Sequence, residues 1–128
     1  MKTDVSFVIL SHNDGKTAVN AIRSIKNLKT KYKYDIFVVD NGSKDDTPEL
    51  IKGIKDVKVV KLPKNIGTAA YDAAIKKSKR RYIYFTGCDI EAKKDMLDKL
   101  VDFLEKNPDA AQAAPKYISL KDKNKADL

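Results

Sequence analysis

Two apolar, strand-like runs end by delivering an aspartate to a polar loop. "YDIFVVD" closes on Asp40, and "YIYFT" is followed by Gly87, Cys88 and Asp89. The runs "VSFVIL" and "VKVVKL" open likewise into "SHNDG" and "PKNIG". Ligands of open parallel sheets bind outside the carboxyl ends of the strands. These loops are therefore the candidate site, with Asp40 and Asp89 as its carboxylates. An aspartate at a strand end is also a common turn former that bonds its own backbone. His12 has no second histidine and no cysteine pair to join it, so a zinc site is not expected. It reads as a loop residue making one local hydrogen bond. Nothing near Cys88 in sequence would lower its pKa, so it reads as a small gap-filler rather than a nucleophile.

The elements that must position these loops alternate in period. Strand-length runs are expected over residues 5–10, 34–40, 57–62 and 82–86. Between them, "KTAVNAIRSIKNL" places Ala18, Ile22 and Ile25 on one helical face, with Ala21 and Leu28 beside them. "DDTPELIKGI" starts a helix with Thr47 as N-cap and Pro48 at its first position, and Leu50, Ile51 and Ile54 face inward. "TAAYDAAIKKSK" predicts one alanine-faced helix through Ala70, Ala73 and Ala74. The last helix spans about residues 94–106, with Leu97, Leu100, Val101 and Leu104 inward, and stops before Asn107-Pro108. A fifth strand has candidates in "AAQAA" and "KYISL", and the tail, residues 121–128, reads as frayed. Strand-helix repetition predicts a single α/β domain over residues 1–120: a three-layer, mainly parallel sheet with helices on both faces.

Several functions are excluded by absence. "SHNDGK" holds one glycine where a dinucleotide-binding turn needs three, and no Walker A motif exists. A receiver domain needs acids where "LSHN" and "KLPK" stand. No run of apolar residues is long enough to span a membrane. The opening "MKTDVSFVIL" lacks the features of a signal peptide. One cysteine makes a reducing cytoplasm the expected compartment. The net charge of +8 is carried mainly by lysines, most tightly in "KKSKRR" at residues 76–81. Aromatics do not interleave with these cations, so nucleic acid is not an expected partner. They read as a solvated surface, with contact to an anionic membrane face as the sharper alternative.

Taken together, the loops resemble family 2 glycosyltransferases of the GT-A fold, a Rossmann-like nucleotide-binding architecture. The resemblance rests on "VSFVILSHND", on "DIFVVDNGSKDDTPELI" as the most specific segment, on "LPKNIGTAAYDAAI" and on "YIYFTGCDIEAKKDMLDKLVDFLEKNPD". It runs from Val5 to Tyr117, with the segments in family order, and the "SHN" and "VDNGS" variants are similar to rhamnosyltransferase-like members.

The resemblance implies a protein that binds a nucleoside-diphosphate sugar, UDP or dTDP before others, and passes the sugar to a glycan or lipid-linked acceptor hydroxyl with inversion. Asp40 would bond the base, with Ser11, His12 and Asn13 beside it and Asn65 and Gly67 near the nucleotide. Asp89 stands at the last position of the D-x-D motif that holds Mg²⁺ or Mn²⁺ on the diphosphate. Gly87 replaces the first aspartate, which implies weak or dispensable metal binding. Asp72 and Ala74 stand where the family often has Asn and Gly. Nothing after Pro115 resembles the remaining family span of about a hundred residues, a length typical of a further domain half. The general base and acceptor site are therefore expected in a second domain or partner chain. The implied setting is cytoplasmic, at or near the inner membrane face. A non-catalytic nucleotide-sugar-binding module or a truncated domain is the alternative, and a basic nucleic-acid or membrane-surface binder a more distant one.

Overall fold

The run "VSFVILS" forms an inner strand, β1 (Val5–Ser11), whose side chains alternate between two cores. A computed structural model of the chain describes residues 4–119. After β1 come α1 (Gly15–Lys26), β2 (Tyr34–Asn41), α2 (Thr47–Lys52) and β3 (Val57–Leu62). A 3₁₀ turn (Gly67–Ala70) then runs into α3 (Tyr71–Ile75), followed by β4 (Tyr82–Gly87) and α4 (Met96–Lys106). The strands form one wholly parallel sheet in the order β3-β2-β1-β4.

Both faces are covered, which explains strands that are apolar throughout. On one face, Phe7, Ile9, Ile36 and Val38 pack against Ala18, Ile22 and Ile25 of α1, Ile51 of α2, and Leu97 and Val101 of α4. Burying each large aliphatic or aromatic side chain there stabilises the fold by about 1.5–3 kcal/mol. On the other face, Val8, Phe37, Val39 and Val60 meet Ala70 and Ala74. The small alanine side chains let the 3₁₀ turn and α3 lie close to the sheet. Near the amino ends of the strands, Asp35 ties this layer down. It accepts from Ser6 Oγ at 2.5 Å and pairs with Lys58 Nζ at 3.2 Å and Arg80 Nε at 3.3 Å. Ser78 Oγ in turn donates to Ser6 Oγ at 2.7 Å.

The expected three-layer architecture is present, and four details differ. Thr47 is not an N-cap but the first residue of α2, because it is wholly buried against Gly15 while Asp45 Oδ1 accepts its N–H at 3.0 Å. The single alanine-faced helix is a 3₁₀ turn joined to a short α-helix that ends at Ile75, so residues 76–81 form a link rather than a helix end. In α4, Leu97 and Val101 are buried, whereas Leu100 and Leu104 are half-buried. No fifth strand forms over residues 110–119, the described part of both candidate segments. The tail read as frayed lies outside the described residues.

Candidate functional site

Parallel register brings the carboxyl ends of β2, β1 and β4 together. Ser11 lies opposite Asp40, and Leu10 lies opposite Gly87, so β1 carries the β2 and β4 loops on its two sides. Ser11 and Asp40 are fully buried at this edge, continuing the rows that begin with Ile9 and Val38. Asp40 Oδ1 accepts the Ser43 N–H at 3.1 Å. Asp40 Oδ2 and Ser11 Oγ have no hydrogen-bond partner among the described residues. Leaving such groups buried and unmade costs about 1–3 kcal/mol each. Unsatisfied oxygens placed side by side at a strand edge are suited to receive a ligand's donors.

Around them the loops are laced together. Asn13 adopts φ 50°, where its N–H donates to Ser43 Oγ and its Oδ1 accepts the Lys44 N–H, both at 2.9 Å. His12 Nδ1 lies 2.9 Å from the Asn41 carbonyl, so that nitrogen carries the proton, and Nε2 is left to accept from Asn13 Nδ2 at 3.1 Å. His12 therefore makes two ring contacts, not the single one its sequence context suggests. Gly42, at φ 73°, is crossed directly by the loop after β3: a Cβ there would stand 2.4 Å from the Lys64 carbonyl carbon. No other residue fits that crossing.

Asn41, one residue past the expected end of β2, is the residue the motif reading passed over. It is buried, and its Nδ2 donates to Asn65 Oδ1 at 3.0 Å and to the Gly67 carbonyl at 3.1 Å. Its Oδ1 accepts the Ile66 N–H at 3.0 Å. Asn65 Oδ1 also accepts the Gly67 N–H at 2.8 Å, and Gly67 sits at φ 65°. An asparagine just before a glycine, at the end of an apolar run, is the sequence signal that points to it. Gly15 was likewise missed: a Cβ there would lie 2.9 Å from Thr47 Cα and from Leu50 Cδ1, so the first turns of α1 and α2 meet only because it is bare.

The β4 loop supplies the second carboxylate. Cys88 is buried, and its thiol donates to Asp14 Oδ2 at 3.6 Å. Burial first, then the Asp14 carboxylate, push the thiol up to about 11, so it stays protonated at neutral pH and acts as a donor. Asp89 is exposed, and its Oδ1 occupies space over Gly87, 3.1 Å from where a Cβ at that position would stand. The described residues contain no group of three His, Cys, Asp or Glu able to hold a metal. A single exposed carboxylate nevertheless fits Mg²⁺ or Mn²⁺ held jointly with a substrate diphosphate, because such ions take one or two carboxylates and complete their shell with phosphate and water.

A recess of ≈ 660 Å³ lies elsewhere. It is lined by Lys26, Tyr34, Asp35, Asp56 and Lys58 at the amino ends of β2 and β3, and within it Lys58 pairs with Asp35. The basic cluster is also at that end, where Arg80 pairs with Asp35 and Arg81 with Glu105.

This chain belongs to glycosyl transferase family 2, whose model matches residues 6–127. An uncharacterized glycosyltransferase of Rickettsia conorii is 33% identical over 108 residues, covering 82% of this chain and 18% of that protein. Among solved structures, S. aureus TarS in complex with UDP-GlcNAc superposes with TM-score 0.72 at 20% identity, over 83% of this chain and 32% of that one. The mannosyltransferase PcManGT from Pyrobaculum calidifontis, in complex with GDP-Man and Mn²⁺, also gives 0.72 at 20% identity, over 91% and 34%. The fold is thus the GT-A fold expected from the motifs. The chain spans about a third or less of the length of each of these proteins. No helix of the described residues is long and apolar enough to cross a membrane.

Proposed function

We propose that this chain is the donor-binding part of a glycosyltransferase and binds a nucleoside-diphosphate sugar at the carboxyl edge of its sheet. The observation that carries the reading is the pair of buried, unpartnered oxygens, Ser11 Oγ and Asp40 Oδ2, on register partners of β1 and β2. A carboxylate oxygen there accepts an N–H from the donor's base. Uracil and thymine present one such N–H, which favours UDP or dTDP. Guanine presents neighbouring donors, and a solved neighbour holds GDP-Man. Ser11, His12 and Asn13 flank the base, and Asn65 and Gly67 border the rest of the nucleotide.

Asp89 would hold Mg²⁺ or Mn²⁺ against the diphosphate. Such an ion, when bound, neutralises charge developing on the departing nucleoside diphosphate. Transfer would proceed by in-line attack of an acceptor hydroxyl on the anomeric carbon, with inversion. The general base and the glycan or lipid-linked acceptor site lie in a further domain or partner chain. Our reading places the reaction in the cytoplasm, where a lone thiol such as Cys88 remains reduced, with the acceptor presented at the inner membrane face. The single carboxylate beside Gly87 also supports a second reading, a nucleotide-sugar-binding module without turnover. Release of free sugar above a no-protein control would exclude it.

The test is calorimetric titration with UDP, dTDP, GDP and CMP, with and without Mn²⁺. Saturable binding of a nucleoside diphosphate is expected. Absence of binding to every nucleotide, by a chain with an intact thermal transition, would overturn the proposal.

A further inference from the structure

The amide of Asn41 donates both its protons and accepts at its oxygen, and all of these partners lie in one distant loop. Both Nδ2 protons are donated, to Asn65 Oδ1 and the Gly67 carbonyl, and Oδ1 accepts from Ile66 N–H. The backbone carbonyl of Asn41 faces the other way and accepts from His12. One residue, 2% exposed, thereby joins the loops after β1, β2 and β3. Gly42 beside it gives the β3 loop its path, and Gly67 bends that loop back at positive φ.

We infer that Asn41 is a positioning residue that holds the Gly67 turn in place, so that the three loops form one preorganised rim for the nucleotide. This inference rests on the donor-binding reading above. No other side chain of this size offers two donors and one acceptor. An aspartate would keep the Ile66 contact but turn acceptor against acceptor at Asn65 Oδ1 and at the Gly67 carbonyl. Even if the Asn65 amide flipped to donate to the new carboxylate, the Gly67 N–H would then lose its acceptor. Without the flip, the Gly67 carbonyl loses its donor and Asn65 Oδ1, which holds the Gly67 N–H, is repelled from its anchor; with it, that N–H loses its acceptor, and Ile66 stays held in both. Asn65 plays a different part, since its side-chain oxygen only accepts within the rim, from Asn41 Nδ2 and the Gly67 N–H, and an aspartate supplies an acceptor as well.

The experiment is residue-resolved amide exchange on the ligand-free chain, followed by titration with UDP and GDP. Asn41→Asp should speed Gly67 exchange at least about tenfold, leave Ile66 within about threefold of wild type, and weaken nucleotide binding about tenfold. Equal acceleration at both amides would mean general loosening and overturn the inference, as would unchanged exchange or unchanged affinity. If Asn41→Asp does not fold, the Asn41 side-chain amide of the wild type decides: both Nδ2 protons should be protected from exchange, and free exchange of either overturns the inference. If wild type binds no nucleotide, the donor-binding reading fails, while the exchange pattern still decides what Asn41 holds.

Discussion

Ser11 and Asp40 are register partners at the carboxyl edge of the sheet, and each ends in a buried oxygen with no partner among the described residues. A fold that leaves two such groups on neighbouring strand ends carries a local cost of about 1–3 kcal/mol for each. A ligand that donates to them removes that cost, which is why we propose this edge as the place of the nucleotide base.

Asp40→Asn separates binding from folding. The amide oxygen can keep the Ser43 bond, while an NH₂ replaces the free oxygen and meets the base donor with a donor. Nucleoside-diphosphate affinity should fall at least about tenfold. The thermal midpoint should move by no more than about 4 °C, the effect of roughly 1 kcal/mol in a domain of this size. Calorimetry and a melting curve on the same sample check both.

The glycines divide by what a methyl group would strike. Gly42→Ala places a Cβ against main chain at positive φ and should cost more than about 3 kcal/mol. Gly15→Ala meets Thr47 Cα and the Leu50 side chain and should cost about 1–3 kcal/mol. Gly53→Ala meets nothing within 4 Å at an ordinary helical φ of −79°, and should be neutral or stabilising by about 0.4–1 kcal/mol. Urea unfolding of the three variants ranks them.

Cys88 gives a pH signature. Its ordinary value of 9.0 is raised to about 11 in the fold, first by burial and then by Asp14. The folded chain therefore keeps the thiol proton over a range where the unfolded chain has lost it. The contribution to stability is complete below pH 9.0 and declines as pH rises toward 11. Alkylation of Cys88 by iodoacetamide should be slow at pH 8 and should accelerate as the pH approaches that raised value. Fast alkylation of the folded chain at pH 8 would contradict the burial described.

Asp89 and Gly87 predict how metal enters. Asp89→Ala should abolish the Mn²⁺-dependent part of nucleotide binding and leave the metal-free affinity within about threefold. Gly87→Ala sets a methyl 3.1 Å from Asp89 Oδ1 and forces the carboxylate to move, so the Mn²⁺ effect should shrink without vanishing. Titrating each variant with UDP, with and without Mn²⁺, gives the ratio directly.

The architecture was readable from sequence because each strand is an apolar run closed by polar residues. The span 57–62 coincides with β3, and β1, β2 and β4 each run one residue further than their apolar stretch. Ladder hydrogen bonds belong to the backbone, so Ser11, Asn41 and Gly87 extend the strands regardless of side-chain type. The alanine periodicity of "TAAYDAAI" marked a sheet-facing element but not its 3₁₀ start, which follows from Gly67 at positive φ. Family membership and fold followed from motif order. Asn41 did not, because its role is defined by Asn65 and Gly67, which lie 24 and 26 positions away and are brought near only by the fold.

The most direct test of the central claim is a ¹H–¹⁵N shift map of the chain titrated with UDP and, separately, GDP in the presence of Mg²⁺. The account predicts saturable shifts at Ser11 to Asn13, Asn41 to Ser43, Ile66, Gly67 and the Cys88–Asp89 pair. The amides of residues 76–81, at the opposite end of the sheet, should stay still. Shifts concentrated in those basic residues, or no saturable shift at the strand ends with either nucleotide, would contradict it.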